Sequence, residues 1–405
     1  MSQSQFSTAI NRWWAKAARD TGANLRWEVL PQNAVYAGGR EVFLPFCSNG
    51  EAALDFLHDI GLDMPEASKR AFVKVVDAAL AVTPEEMWSE RFDTTPAIEW
   101  LREITDDPNV ATVLRHFIAA NSVVADAIAL EEGSINTLVT LLIAGNFGGR
   151  HLIVKMTGEP AHALPKAFLK VVKDQGGEVL TRHRVKELIV EDGAAKGVVV
   201  VTPEGAEKSY RTRHVVNTAL YTDLRQLLGS NLPTRIDEIV TDLYRSNTIA
   251  LDVHLGLSKK VLPHLSSQLM LMTDEGNYDG VIATFTNLDP SMAPEGKQAI
   301  NIELFLSPDD FEAKTREEWF EHMAEGVFRR WPEVRECVEW TETFIVESAP
   351  VHHGIHAVKK LPLESGINGL FFAGDCTVGE GYFTERAAYS GSKVAELILR
   401  LEGIL

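Results

Sequence analysis

Cysteine is scarce in this sequence: three of the 405 residues are cysteines, namely Cys47, Cys337 and Cys376. They lie far apart, their number is odd, and none belongs to a CxxC pair or to a Cys/His cluster. A disulfide framework and a structural zinc site are therefore both unsupported, and we expect no metal. The sequence also lacks a GxSxG motif, which leaves nucleophilic hydrolysis without support.

Long apolar runs and basic residues are also in short supply. The longest strongly apolar stretch, about 138–144, is far shorter than the roughly 20 residues needed to span a bilayer. The N-terminal stretch MSQSQFSTAINRWW has no signal-peptide pattern. Lys and Arg number 39 against 57 Asp and Glu, a net charge of −18, which argues against nucleic-acid binding. We expect a cytoplasmic protein, with peripheral membrane contact left open.

The first 150 residues carry the patterns of one helix, three short strands and a helical region. A helix is predicted over 4–20 and ends at Gly22. Apolar residues recur at helical spacing from 49 to about 144. Between the two, extended runs are predicted at 25–30, 34–37 and 41–46, with a hairpin turn at Gly38-Gly39.

After Gly158, strands rich in Val and Ile follow an amphipathic helix at 161–174. Short strands are predicted at 178–181, 185–191, 197–202 and 214–218, then between 247 and 306 and near 343–346, with a helix at 316–330. A helix leading to a buried strand, a β-meander and another buried strand indicates part of an α/β sheet.

The C-terminal segment has the most specific pattern. Residues 369–375, GLFFAGD, predict a buried strand that ends in Gly374 and Asp375 at the carboxyl edge of a sheet, where open α/β folds bind ligands. Gly379 and Gly381 allow close approach of the backbone to a ligand. The following helix, about 384–401, offers free N–H groups to an anion and has one face of small residues. The alternative is a buried strand, turn and helix in which Asp375 is only a cap.

This segment resembles the C-terminal flavin-binding motif of the FAD-dependent amine oxidase and phytoene desaturase superfamily. Residues 177–200, with HVVNTA at 214–219, resemble the central FAD-domain block of that family. NLDPSMAPEGKQ at 287–298 resembles the Asp-Pro-Ser-x-Ala-Pro-x-Gly motif of its phytoene-desaturase-like members. Together the resemblance covers roughly residues 25–402.

The resemblance implies an α/β fold of mixed α+β character. In it, a Rossmann-like FAD-binding domain remnant is interleaved with a substrate domain made of an antiparallel sheet and a helical cap. The expected boundaries are an N-terminal helix at 1–22, the substrate domain at 23–150 and 246–345, and the FAD-binding domain at 151–245 and 346–405.

The resemblance also implies which residues contact FAD. The residue matching Val185 meets the adenine end mainly through its backbone, and the strand with Asn217 and Thr218 runs under the cofactor. The C-terminal motif contributes the remaining predicted contacts, which are Gly374, Asp375, Gly381, Tyr382 and Ala387.

No catalytic residue is assigned, because flavin sites often need no obligatory side-chain base. The candidates are His352 and His356, which share a side of an extended segment that often lines the flavin's active face in the family, and Tyr382. Of the neighbouring residues, Lys359-Lys360 is interpreted as a solvated pair. Cys376 is interpreted as a packing residue rather than a covalent flavin link, and Arg386 as part of a charge pair at the helix start.

The sequence departs from the family at its start. Family members open with a strand, a GxGxxG turn and a helix, whereas this sequence begins in what resembles the segment after that unit. GNFGGR at 145–150 and Gly38-Gly39-Arg40 are interpreted as a loop and a turn instead. The hypotheses are a partner chain that supplies the dinucleotide-binding unit, a self-assembled oligomer, a sequence truncated at its start, or an N-terminal helix with Trp13 and Trp14 that patches the gap.

The expected reaction is flavin-mediated hydride removal or delivery at a C–C or C–N bond of a mostly apolar small molecule. The alternative is a degenerate, non-enzymatic flavoprotein homologue that acts as a binding or partner subunit. A third hypothesis, an amine oxidase acting on a polar amine, predicts an acidic, aromatic-lined pocket.

Overall fold

A computed structural model describes residues 6–9, 13–24, 27–29, 33–45, 47–122, 124–146, 152–156, 163–243, 248–266, 268–273, 276–346 and 355–405. The strands are β1 (Phe6–Ala9), β2 (Trp27–Val29), β3 (Ala34–Ala37), β4 (Arg40–Phe43), β5 (Leu152–Met156), β6 (Arg184–Glu191), β7 (Ala194–Val201), β8 (Glu207–Arg211), β9 (Val215–Asn217), β10 (Ile249–Leu257), β11 (Leu269–Met272), β12 (Tyr278–Ala283), β13 (Gln298–Leu306), β14 (Val338–Val346) and β15 (Leu370–Phe372).

The helices of the same residues are α1 (Trp13–Thr21), α2 (Gly50–Asp59), α3 (Glu66–Ala81), α4 (Pro84–Met87), α5 (Glu90–Thr94), α6 (Ala97–Ile104), α7 (Pro108–Ser122), α8 (Ala129–Glu132), α9 (Ile135–Thr140), α10 (Ala163–Asp174), α11 (Leu224–Leu228), α12 (Thr234–Leu243), α13 (Phe285–Leu288), α14 (Pro308–Phe311), α15 (Arg316–Arg330), α16 (Pro332–Cys337) and α17 (Thr384–Leu401). A π-helical turn, Leu141–Asn146, continues α9. In these parts of the chain, no helix is long and apolar enough to cross a membrane.

The largest sheet has seven strands in the order β14-β10-β13-β12-β11-β3-β4, and its pairs are antiparallel except β11 with β3. Side chains of a strand alternate between the two faces of a sheet. Leu251 and Val253 of β10 therefore share one face with every second residue, and they pack there with Trp319 and Val327 of α15. Two distant segments, 34–43 and 249–346, build this one layer.

Helices α2–α9 cover part of the other face of this sheet. Asn49 caps α2 with its side chain, and a capping box between Thr83 and Glu86 begins α4, so the starts of these helices have satisfied backbone donors. Met270 of β11 and Val281 of β12 belong to the same buried cluster as the helices. The helical layer thus lies over the β11–β12 side of the sheet.

A smaller α/β unit contains the C-terminal strand. β15 pairs in parallel with β9, with Leu370 opposite Val215, and β6, β7 and β8 form an antiparallel sheet of three. Leu370 and Phe372 share a core with β6, α11 and α12, while Phe371 packs on the other side against Val394 of α17. The apolar run of β15 is therefore buried on both faces, as the sequence predicts.

Most predicted elements appear within a few residues of their expected ends, and two do not. Of the helix predicted over 4–20, the described residues show a helix at Trp13–Thr21, which Gly22 ends with φ of +73°; residues 4–5 and 10–12 lie outside the described residues. Phe6–Ala9 is instead a strand, because β5 offers it an antiparallel ladder. Residues 178–181 are coil rather than strand. Leu180 is 45% exposed and no strand of the described residues pairs with this run, so its backbone has no ladder to join. The predicted domain boundaries stay a prediction.

Candidate functional site

The loop after β15 brings several predicted cofactor residues together. Ala373 N donates to Asn217 O at 3.1 Å, which sets the ends of β15 and β9 side by side. Gly374 follows with φ of +142°, a conformation that favours glycine. A Cβ at Gly374 would meet nothing within 4 Å, so the backbone here borders open space. Gly374 N donates to Ser390 Oγ of α17 at 2.9 Å, which fixes the loop against that helix.

Asp375 stands at the carboxyl end of the strand, next to Gly374. Burial raises the pKa of its carboxyl group, and hydrogen bonds from Cys376 oppose that rise. Thr218 lies on the neighbouring strand end and is exposed, and Ala387 lies on the first turns of α17 near Ser390. The structure therefore gathers Asn217, Thr218, Gly374, Asp375 and Ala387 around one sheet edge.

Gly381 holds the turn into α17. Its φ is +89°, and a Cβ there would lie 2.6 Å from Glu385 Cβ. Any other residue would therefore have both a strained backbone conformation and a steric clash. Gly381 O accepts a hydrogen bond from Arg386 Nε at 2.9 Å. The loop conformation is thus fixed from inside the protein.

Tyr382, a predicted catalytic candidate and cofactor contact, points into the helical layer. Its hydroxyl donates to Asn136 Oδ1 and lies 2.9 Å from Thr140 Oγ1. Its ring packs 5.8 Å from that of Trp88, and burial raises the pKa of its hydroxyl. These contacts join the loop to α9 and keep the phenol protonated.

The predicted histidines have different outcomes. His356 is buried, and its Nδ1 lies 3.3 Å from Glu132 Oε2 at the end of α8. Its backbone pairs with Gly133, so His356 belongs to the seam between the C-terminal segment and the helical layer. His352 lies outside the described residues.

Val185 belongs to a different sheet from β15 and β9. It lies in β6, opposite Val200 of β7, in the separate three-stranded sheet. Its side chain is 39% exposed, which leaves its role at the adenine end a prediction.

Lys360 corrects the interpretation of Lys359-Lys360 as a solvated pair. Its ammonium is fully buried and donates to the carbonyl oxygens of Asp93, His356 and Val358 at 2.9, 2.6 and 2.8 Å. Burial lowers its pKa to about 8, although the Asp93 carboxylate opposes this. Three backbone acceptors explain how a lysine can be buried here.

Arg386 also has a different partner from the one expected at the helix start. Its guanidinium contacts both carboxylate oxygens of Asp93 in α5, at 2.9 and 3.2 Å, and its exposure is 0%. Asp93, Lys360 and Arg386 form a buried charged cluster that joins the helical layer to the loop after β15. The sequence offered no signal for it, since the pair is 293 positions apart.

The first turns of α17 pack against α1. Trp13 N donates to Glu385 Oε2 at 2.8 Å, and its indole Nε1 donates to Glu380 Oε2 at 2.9 Å. The indole also meets the ring of Tyr389 edge-on at 4.7 Å. Trp13 is buried, so it anchors α1 to the start of α17.

Polar side chains also lie on the face of the large sheet opposite α15. There β10 places Asp252 and His254, and β13 places Asn301 and Glu303. Asn301 Nδ2 donates to Glu303 Oε1 at 2.5 Å. The sequence analysis did not single out these residues. Their signal was the alternation of polar and apolar positions in IALDVHLGL and QAINIELFL.

Aromatic side chains share this face. Phe344 of β14 is 46% exposed and its ring lies 5.2 Å from that of His254. Trp340 is 45% exposed and is the registered partner of Gly256 in β10. A Cβ at Gly256 would overlap the Trp340 indole, so glycine allows the indole to lie across the strand. We call Asp252, His254, Asn301, Glu303, Trp340 and Phe344 the sheet-face cluster.

Comparison with known proteins identifies the family. The family described as "Flavin containing amine oxidoreductase" matches residues 17–399. The chain belongs to this family. The predicted resemblance is therefore confirmed, and the family is one of FAD-dependent oxidoreductases, as expected. The alternative of a non-enzymatic homologue is not favoured.

Curated relatives place the chain near the phytoene-desaturase-like branch. The chain is 26% identical over 226 residues to a chloroplastic prolycopene isomerase of Daucus carota. That alignment covers 54% of this chain and 35% of the relative. It is 23% identical over 336 residues to prolycopene isomerase 1 of an Oncidium hybrid cultivar, and this alignment covers 75% of this chain and 54% of the relative. The chain thus spans between a third and somewhat over half of the length of these relatives.

Solved structures confirm the predicted fold class. An oxidoreductase from Methanosarcina mazei superposes with a TM-score of 0.69 at 14% identity, covering 94% of this chain and 84% of that one. Putrescine oxidase bound to putrescine gives 0.60 at 14% identity, covering 98% and 87%. Reduced UDP-galactopyranose mutase gives 0.59 at 14% identity, covering 98% and 84%. At these identities the likeness shows a shared fold.

Proposed function

We propose that this chain binds FAD and catalyses hydride removal or delivery at a C–C or C–N bond of a mostly apolar small molecule. The observation that carries this proposal is the loop after β15. Gly374 and Gly381 hold left-handed backbone conformations there, next to Asp375 and the start of α17. Such a loop at the carboxyl edge of a parallel strand pair suits a cofactor, since the glycines let the backbone approach it closely.

The residues of this loop fit the ribityl part of a flavin nucleotide. The open space in front of Gly374 leaves room for the cofactor, and the Asp375 carboxyl group is an acceptor for hydroxyl donors. Asn217, Thr218, Gly381 and Ala387 would complete the contacts on the same edge. When bound, FAD supplies the two-electron chemistry, and the protein orients the substrate and excludes water.

Exposed apolar side chains support a mostly apolar substrate. Trp340, Phe344 and Val346 of β14 are 45%, 46% and 39% exposed on one face of the sheet. Apolar surface of this kind marks ligand or partner contacts more often than plain surface does. The relatives named prolycopene isomerase and the neighbour named cyclohexylamine oxidase agree with chemistry at C–C and C–N bonds, respectively.

The visible absorption spectrum of the purified chain, before and after addition of FAD, tests the proposal. A bound-flavin spectrum is expected. Asp375→Asn is expected to weaken FAD binding about 10- to 100-fold, because a hydrogen bond to a charged group is worth about 1.5–3 kcal/mol. Asp174→Asn, a change at an exposed ion pair with Lys170, is the control. A wild-type chain that binds no FAD as a monomer, as an oligomer or together with a co-purified partner chain would overturn the proposal.

We also propose that a partner chain, or a second copy of this chain, completes the dinucleotide site. A cytoplasmic location is a further part of the proposal. Native mass spectrometry with and without FAD tests the first part. A flavin bound at one per monomer, with no second chain, would contradict it.

A further inference from the structure

Asp252 and Glu303 face each other across two neighbouring strands. They are registered partners in the antiparallel pair β10–β13, so their side chains leave the same face of the sheet. The Cβ atoms of such partners lie about 4.5–5.5 Å apart, and like charges directly opposite destabilise a sheet. Glu303 is only 8% exposed, so water does little to screen the repulsion. Two ionised carboxylates in this position are costly.

Asn301 links the two carboxyl groups. Its Nδ2 donates to Glu303 Oε1 at 2.5 Å, and its side-chain amide also lowers the pKa of the Asp252 carboxyl group on the neighbouring strand. Asn301 is 9% exposed, and its Oδ1 is buried with no hydrogen-bond partner in the described parts of the chain. A buried acceptor beside two carboxylates needs a donor, and a proton on one of the carboxyl groups, or an N–H or O–H of a ligand, supplies one.

We propose that Asp252 and Glu303, linked by Asn301, form a proton-accepting pair on the substrate side of the sheet and serve as the base of the reaction. The catalytic role in this inference rests on the proposed function. The proton held between the two carboxyl groups does not, because it requires no bound flavin. Removal of two hydrogens from a C–C or C–N bond breaks one C–H bond with its electron pair, and a bound flavin would be the acceptor of that hydride. The neighbouring carbon or nitrogen loses its hydrogen as a proton to a carboxylate oxygen of the pair, and its electron pair forms the new double bond.

The electrostatics support a base that works near neutral pH. Burial raises the pKa of Asp252 to about 6, although the side chain of Asn301 acts to lower it. A group with a pKa close to the working pH is an efficient base. Burial lowers the pKa of His254, so the imidazole on the same strand is neutral. Among the described residues, the other titratable groups that act on this face include Glu342 of β14, Tyr278 of β12, and Asp126, whose carboxylate lies 2.7 Å from His116 Nδ1.

The aromatic residues of the sheet-face cluster place an apolar substrate beside the pair. Phe344 is the registered partner of Asp252, and its ring contacts His254. A flat apolar group lying on Phe344 and Trp340 would therefore have its reacting bond within the reach of a carboxylate one strand away.

The experiment compares wild type, Asp252→Asn and Glu303→Gln without substrate, by chemical unfolding between pH 4 and pH 7. Because the folded-state pKa of Asp252 is raised, its protonated form stabilises the folded state at low pH, and this contribution is lost as pH rises through about 6. Asn does not titrate. The unfolding constant of wild type relative to Asp252→Asn is therefore expected to rise about a hundred-fold from pH 4 to pH 7.

The Glu303→Gln variant, a control variant and a parallel titration with FAD separate the outcomes. Glu303→Gln removes the like charge and is expected to move the transition to lower pH, whereas Glu342→Gln, an exposed carboxylate on the next strand, is the control and is expected to leave it in place. If the ratio of the unfolding constants of wild type and Asp252→Asn does not change with pH, the proposed proton-accepting pair is wrong. FAD titration of the same samples judges the proposed function separately: Asp252→Asn is expected to bind FAD as wild type does, and failure of wild type to bind FAD would overturn only the flavin reaction.

Discussion

Arg386 and Asp93 form a bidentate ion pair between two parts of the fold that the chain connects only over 293 positions. Arg386 lies in the first turn of α17, after the loop that follows β15, and Asp93 belongs to α5 of the helical layer. The same guanidinium also donates to Gly381 O. One side chain therefore fixes both the turn at Gly381 and its distance from the helical layer.

Asp93→Asn is expected to destabilise the protein by about 3–5 kcal/mol. The change leaves the buried charge of Arg386, and that of Lys360 next to it, without their carboxylate, which is the costly way to break a buried pair. Urea unfolding measures the loss. Glu103→Gln is the matched control, since Glu103 forms an exposed ion pair with Arg91 and such pairs contribute at most about 1 kcal/mol. Equal effects of the two changes would contradict the structural role of Asp93.

Local patterns explain which parts of the fold the sequence could predict. β15 and α17 follow from an apolar run and a helical repeat within single segments, and both appear where expected. The partner of Arg386 could not be predicted, because no local pattern marks Asp93 as its partner. The strand predicted at 178–181 failed for a related reason: a strand needs a neighbour, and the pattern of its own residues does not supply one. The alternation of polar and apolar residues in β10 and β13 was a local signal that could have identified Asp252 and Glu303, but the sequence analysis did not single them out.

Gly381→Ala is expected to weaken FAD binding at least tenfold. Alanine at φ of +89° is strained, and its Cβ would lie 2.6 Å from Glu385 Cβ, so the turn that borders the cofactor must move. Fluorescence titration with FAD measures the change. Gly391→Ala, in the middle of α17, is the contrasting variant: its Cβ would meet nothing within 4 Å, and replacing a helical glycine stabilises by about 0.5–1 kcal/mol. The same loss of FAD affinity in both variants would contradict a specific role of Gly381.

The three thiols are expected to be unreactive in the folded protein. Cys47, Cys337 and Cys376 are all buried. Burial raises the pKa of Cys47 to about 11 and raises that of Cys376 as well, so little thiolate is present at neutral pH. Titration with Ellman's reagent is expected to find less than one reactive thiol per chain before unfolding and three afterwards. Flavin that stays with the chain after acid precipitation would contradict Cys376 as a packing residue.

Gly256 and Trp340 are expected to show a large coupling free energy in a double-mutant cycle. A Cβ at Gly256 would overlap the indole of Trp340, so Gly256→Ala must push the indole off the strand, at a cost of about 1–3 kcal/mol typical of overpacking. In a Trp340→Ala background the space is free, and the same change is expected to cost less than about 0.5 kcal/mol, because a strand tolerates alanine better than glycine. Urea unfolding of the four proteins gives the cycle. Additive effects would mean that the indole does not lie on Gly256, and the aromatic surface assigned to the substrate would then have to be built without Trp340.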